Sequence, residues 1–424
     1  MKIYDNIAVS AADILLPAPG TDMKKWAVIA CDQYTSEPEY WEKVDSFVGT
    51  SRSSLRIVLP EVYLGTDTEE QIEGRLQDIR KNIDSYISEG AWDKPMEGFI
   101  LTDRSTPVHP SRKGIVLAVD LEQYSFEPGN KEKIRATEGT VLSRIPPRVK
   151  IRSNAKVELP HIMLLIDDPE DSVIGSAWDK AVAGGLPFCY DTDLMGDAGH
   201  IKGVYVESSS PVADGIVSAL EGLLEKSADG MLFAVGDGNH SLASAKKHWE
   251  NIRESLDEDM RKCHPARFAL AEVVNIHDKG LDFEPIHRVV FNMTREKFLE
   301  EASVFFKDNG MKAGVREDGC QVFTLVNEGE EDLDVSLANP PHSLSVGSVQ
   351  MMLDNIGAEV DYIHGEDSVR KLSTKGNTGI LLPDVGKDSF FDTIAAEGVF
   401  PRKTFSMGEA FEKRFYLEAK RIDG

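Results

Sequence analysis

The sequence predicts an α/β fold, with a mixed α+β arrangement as its variant, on three observations. Short aliphatic and β-branched runs alternate with helical patterns along most of the chain. One long segment, 69–89, carries Ile72, Leu76, Ile79, Ile83 and Ile87 at three- to four-residue spacing, which lines them on one helical face. A third signal is the apolar run 231–235, which breaks into a glycine turn followed by a further helical pattern.

In chain order, strands are expected at 26–31, 55–59, 99–102, 114–119 and 162–166, the first of them around the 69–89 helix. An amphipathic helix follows at 213–224, where Ile216, Leu220, Leu223 and Leu224 share a face and Ser227-Ala228-Asp229-Gly230 ends the pattern. Next come the 231–235 strand, a helix over 241–256 and a strand over 266–274. Helices at 295–306 and 346–356 and a strand at 379–382 complete the pattern, and 328–332 reads as an exposed acidic turn. The polar stretch 257–264 suggests a boundary, giving an α/β domain over 1–260 that carries the glycine turn and a second α/β domain or layer over 261–424.

Composition narrows the function classes. The 424 residues contain 47 Lys and Arg against 72 Asp and Glu, a formal charge of −25. Such a field repels phosphate backbones and anionic lipid, so neither a nucleic acid nor a membrane is expected as partner, and a small molecule is. Apolar residues make up 41% of the chain, enough for a packed core, yet no run approaches the ~18 apolar residues of a membrane span. The start of the chain shows no signal-peptide pattern. Cys31, Cys189, Cys263 and Cys320 are too far apart in sequence for a zinc or redox motif and read as reduced core thiols, which points to the cytoplasm. The histidines form no HxH or HxxxH spacing, so no metal site is expected.

The most informative window runs from Phe233 through Gly236, Asp237, Gly238, Asn239, His240 and Ser241. A strand, a tight turn and a helix start in this order place free main-chain N–H groups where an anion binds. The glycines allow positive φ and close approach of a ligand, and Asn239 or Ser241 can cap the helix. Asp237 and His240 lie beside that position, suited to accept a hydroxyl proton or contact a phosphoryl oxygen. The plainer alternative is a turn closed by its own Asp, Asn and Ser side chains. Elsewhere, Asp32, Tyr34 and Ser36 follow the expected 26–31 strand at a carboxyl end, where ligands gather in open sheets. Arg135, Arg144 and Arg148 form a basic stretch, with Glu138 three residues beyond Arg135. If 135–138 is one helical turn, that pair is only a surface ion pair. His161 opens a strand, and Arg402 and Lys403 make a second basic turn; these too read equally as solvated or structural residues.

The 237–241 turn resembles the DGHHR element of the prokaryotic family called domain of unknown function 1015. Similar blocks occur at 26–36, 134–138, 144–148, 161–169 and 400–407, so the resemblance covers nearly the whole chain. The element is in turn similar to the phosphate-binding turn of the ParB and sulfiredoxin superfamily, which includes CTP-binding partition proteins and kinases of free serine. The resemblance implies a ParB/sulfiredoxin-like phosphate-binding core within a larger layered structure, with Gly236, Asp237, Gly238, Asn239, His240 and Ser241 on nucleotide phosphates or the acceptor hydroxyl. The chain departs from the element at Asn239, where His is usual, and at Ser241, where Arg is usual. Loss of that arginine requires another cation. Arg135, Arg144 and Arg148 are the expected replacements.

The function expected is therefore nucleotide-dependent phosphoryl transfer to a small hydroxylated metabolite, free serine being the first choice. ATP or ADP with magnesium would be the cofactor. Asp237, His240 and Glu138 are the expected catalytic residues, and Asp32, Tyr34, Ser36, His161, Arg402 and Lys403 would bind substrate. The alternative is a nucleotide-sensing module without turnover. The sequence carries no expectation about oligomeric state.

Overall fold

The computed structural model describes residues 1–127, 129–153, 155–309, 312–313 and 320–424, the side chains of 144, 312 and 313 excepted. It is a mixed α/β structure with two sheets, divided into two compact units. The first unit comprises Met1–Leu281 together with Glu409–Gly424, and the second Asp282–Gly408. Where the sequence suggested a division at 260/261, this one falls at 281/282, and the segment after 408 returns to the first unit. The reason is that the polar stretch is itself ordered: Asp257 caps a short helix, Glu258–Cys263, by accepting from the Met260 N–H at 2.8 Å.

The first unit is built on a large mixed sheet. Its central order is Phe233–Asp237, Met163–Ile166, Phe268–Asn275, Arg112–Asp120, Val9–Leu15, Met96–Ser105, His200–Glu207 and Phe188–Asp193. The strands Phe268–Asn275 and Arg112–Asp120 are buried along nearly their full length, which is why both read as unbroken apolar runs. The helix Glu69–Ser88 starts at a capping box. Thr68 Oγ1 accepts from Gln71 N–H at 3.3 Å, and Gln71 Oε1 accepts from Thr68 N–H at 2.8 Å. Helix Pro211–Lys226 is capped by Ser210 and has proline in its first turn. No helix among the described residues is long and apolar enough to cross a membrane.

Two expected strands take other forms. Residues 23–26 form a helical turn capped by Asp22, and 27–31 run extended with only one bridge, Ile29 to Phe415. Their partner is the irregular segment 414–417, with Ala30 N–H donating to Arg414 O and Tyr416 N–H to Val28 O, both at 2.8 Å. The 55–59 run instead contains a 3₁₀ turn, Ser54–Ile57. The hydroxyl of Ser53 accepts from Leu55 N–H, and both Ser53 and Ser54 donate to Trp26 O. Side-chain to main-chain bonding here outcompetes a ladder.

The second unit holds a seven-stranded sheet that includes Leu333–Ala338, Gln321–Val326, Thr378–Leu381, Phe283–Val290 and Val360–His364. Helices Arg295–Asp308 and Ser345–Asn355 share a core with it around Phe298, Phe323 and Val349. Its two ends are neighbours: Phe283 pairs with Met407, and Gly408 N–H donates to Asp282 O at 3.1 Å.

Candidate functional site

The strand Phe233–Asp237 delivers its last carboxylate to a turn made by one residue. Gly238 has φ of 81° and acts as N-cap of the helix Asn239–Arg253, with no side chain capping that helix. A Cβ at this position would lie 3.1 Å from the Ile162 Cα, so both the dihedral and the close approach call for glycine. The expected caps are occupied otherwise. Asn239 bonds sideways to Thr137, its Oδ1 accepting from the Thr137 N–H and its Nδ2 donating to the Thr137 Oγ1, each at 3.2 Å. Ser241 Oγ lies 2.5 Å from His161 Nε2. The main-chain amides of Asn239 and Ser241 donate to no acceptor among the described residues, which leaves two N–H groups at the positive end of a fifteen-residue helix.

Asp237 is held between two donors. Its Oδ1 accepts from Gly238 N–H at 2.8 Å, and Lys413 Nζ stands 3.2 Å from its Oδ2. Burial pushes the Asp237 carboxyl up, but the Lys413 ammonium more than offsets this and holds it below its ordinary value. His240 Nε2 accepts from Val141 N–H at 3.2 Å, which fixes it as a neutral imidazole with its proton on Nδ1. His161 links the turn to the returning segment: its Nδ1 is 2.8 Å from Tyr416 OH, which also accepts from Cys31 N–H at 3.1 Å. Burial pushes the Cys31 thiol up to about 12, so this residue is a neutral thiol at pH 7 and not a nucleophile.

The position of Lys413 is set by Arg104. Its guanidinium donates to the carbonyls of Phe411, Glu412 and Lys413, at 2.6, 2.9 and 2.5 Å, and so clamps the returning segment against the Met96–Ser105 strand. Arg414 adds a buried ion pair to Glu272 at 2.9 Å.

A cavity of about 170 Å³ opens beside the turn, with Ser241, His161, Tyr416 and Cys31 in its wall. Most of its lining is aliphatic, from the helix Glu69–Ser88 and from Ile57, Leu59, Val157 and Leu270. Arg148 also lines it, in an ion pair with Glu61. Burial raises the Glu61 carboxyl, and Arg148 opposes that shift.

The structure thus brings Asp237, Gly238, Asn239, His240, Ser241, His161 and Arg148 together, Gly236 being part of the strand that leads in. Asp32 stands close enough for its charge to raise both Glu61 and Tyr416. Other residues are placed differently. Arg135 lies in a short strand, not a helical turn, and its buried guanidinium is taken up by Asp229 and the Glu132 carbonyl. Glu138, half-buried, follows that strand. The side chain of Arg144 lies outside the described residues. Tyr34 has φ of 53° and stacks on Tyr40 with ring centroids 3.8 Å apart, while Ser36 is exposed. Arg402 and Lys403 belong to the second unit, where their carbonyls accept from Arg288. Lys413, Tyr416 and Glu61 were not singled out by the sequence. No motif surrounds them, and only the return of the chain after the second unit brings the first two to the turn.

Three solved structures are similar at 10% sequence identity. A free serine kinase in complex with AMP gives a TM-score of 0.38, covering 72% of this chain and 92% of that one. SbnI from Staphylococcus aureus with a C-terminal truncation gives 0.39, covering 73% and 87%. A conserved hypothetical protein from Pyrococcus furiosus gives 0.35, covering 73% and 95%. The chain matches no curated protein. The family model described as "Protein of unknown function (DUF1015)" matches residues 15–357, and the chain belongs to that family.

Proposed function

We propose that the first unit binds the phosphates of a nucleotide, ATP or ADP with magnesium, at the 237–241 turn and directs a phosphoryl group to the hydroxyl of a small metabolite. The observation that carries this reading is the uncapped start of the Asn239–Arg253 helix with a lysine beside it. Helix-end amides and a fixed cation are the elements that hold phosphate oxygens. The resemblance of the turn to the phosphate-binding turn of the ParB and sulfiredoxin superfamily supports the same reading. Where the motif has arginine and this chain has Ser241, Lys413 supplies the charge from the returning segment. Bound magnesium would neutralise phosphate charge, and Asp237 can share its free lone pairs with it. With its carboxyl held ionised, Asp237 Oδ2 can also take the acceptor's hydroxyl proton. Arg135 has no part in this scheme, since Asp229 engages it. Free serine is the first acceptor to test. The same turn without turnover would be a sensor, a reading that only Asn239 and Ser241 favour.

The test is thermal stabilisation by ATP, ADP, CTP and GTP with magnesium, followed by nucleotide consumption with added acceptors. A ligand of the native state at a hundred times its Kd adds about 2.7 kcal/mol of stability. Lys413→Met is expected to remove most of the nucleotide shift. Asp237→Ala is expected to abolish turnover while the shift remains. No shift with any nucleotide would overturn the proposal.

A further inference from the structure

The cavity beside Ser241 has a chemistry of its own, and it does not suit free serine. Its walls are formed by Ile57, Leu76, Ile79, Ile83, Val157 and Leu270 among others, and polar side chains occupy only part of the lining. An ammonium group placed against such walls would lose its water without gaining a partner. An aliphatic body, by contrast, gains with each buried methylene. The volume sets the size: an engineered apolar cavity of about 150 Å³ holds benzene, so about 170 Å³ accommodates one ring or a chain of about six heavy atoms.

Two polar features fix what the ends of such a molecule must be. At one, Ser241 Oγ and His161 Nε2 face each other at 2.5 Å, and Tyr416 OH holds the other imidazole nitrogen. A ligand hydroxyl can exchange hydrogen bonds with this pair. At the other, Arg152 lines the cavity and is ion-paired with Glu158 through its Nη2, yet its Nε–H is buried with no acceptor among the described residues. A buried donor on a guanidinium left without an acceptor is costly, and a carboxylate oxygen would satisfy it.

We infer that this cavity is a binding site for a small hydroxy acid with an aliphatic or single-ring body, its carboxylate on Arg152 and its hydroxyl at the Ser241–His161 pair. The inference deepens the phosphotransfer reading, in which this molecule is the acceptor, but the binding itself needs no nucleotide.

The experiment is calorimetric titration of the full-length protein, without nucleotide, with the four-, six- and eight-carbon β-hydroxy acids, with hexanoate, with hexanol and with free serine. Affinity should rise about tenfold from four carbons to six, as expected for two buried methylenes, and then level off as the cavity fills. Hexanoate and hexanol, each lacking one polar end, should bind about tenfold more weakly than the six-carbon hydroxy acid. Ile79→Trp, at a half-buried helix position in the wall, should abolish the chain-length trend. Arg152→Lys should lose the preference for hydroxyhexanoate over hexanol, its own melting point showing that it remains folded. Equal or undetectable binding of serine and of all three hydroxy acids would overturn the inference, whatever nucleotides do. Hydroxy-acid binding without phosphorylation when ATP is added would uphold the inference and sink the phosphotransfer reading.

Discussion

At the scale of single residues, the site combines side chains whose charge states are fixed by their surroundings. Asp237 is ionised because Lys413 outweighs its burial, and His240 is neutral because Val141 donates to it. A third buried residue on the same helix, His248, gives the protein a pH dependence. Burial, followed by the Arg152 guanidinium, lowers its imidazole to about 4. The unfolded chain takes up that proton near pH 6.5 and the folded protein only near 4, so stability falls with pH across this window. The slope expected from His248 is about 1.4 kcal/mol per pH unit, on the order of 3 kcal/mol in all. Urea unfolding midpoints measured from pH 7 to pH 4 should therefore drop more steeply for the natural protein than for His248→Leu. Parallel slopes would remove His248 from this role. Residue by residue, the sequence disclosed the turn well, because glycine at 238 and the carboxylate before it are local requirements. It was silent on Lys413 and Tyr416, whose roles depend on partners 176 and 255 positions away.

At the scale of elements, helices with their own signals were legible. The 69–89 periodicity became Glu69–Ser88, and the 213–224 face became part of Pro211–Lys226, because a capping box and a Ser-Pro start act within one turn of the chain. The apolar runs at 26–31 and 55–59 misled for a physical reason. A strand needs a partner edge as well as a pattern, and these runs meet an irregular segment and a pair of serine hydroxyls. That irregular segment is the element on which the site depends, and Arg104 is what holds it. Arg104→Met would remove donors from three carbonyls, at a cost of about 3 kcal/mol. The fall in the melting point should come with loss of the nucleotide shift, because Lys413 is no longer fixed beside Asp237. Retention of the full shift in a destabilised but folded variant would show that the clamp does not position the lysine.

For the whole molecule, the second unit is an insertion. It begins at Asp282 and ends at Gly408, positions joined by a main-chain hydrogen bond, and the first unit resumes at Glu409. A chain whose entry and exit adjoin can be replaced by a short link with little loop-closure cost. Joining 281 to 409 through a flexible glycine-serine linker is expected to yield a cooperatively unfolding protein that keeps the Asp237–Lys413 pair. Circular dichroism and a single unfolding transition would check this, and an unfolded product would show that the first unit needs the second. Nothing in composition announced this arrangement, since both units have the same alternating pattern and only contacts distant in sequence separate them. The clamp on the returning segment has one more consequence. During synthesis the ribosome makes the turn first, then the entire insertion, and only afterwards the lysine and tyrosine that complete the pocket. Until translation has passed Tyr416, the nascent chain holds an aspartate without its counter-charge, so the late-arriving segment acts as a built-in timer that postpones ligand capture until the intervening unit has been made.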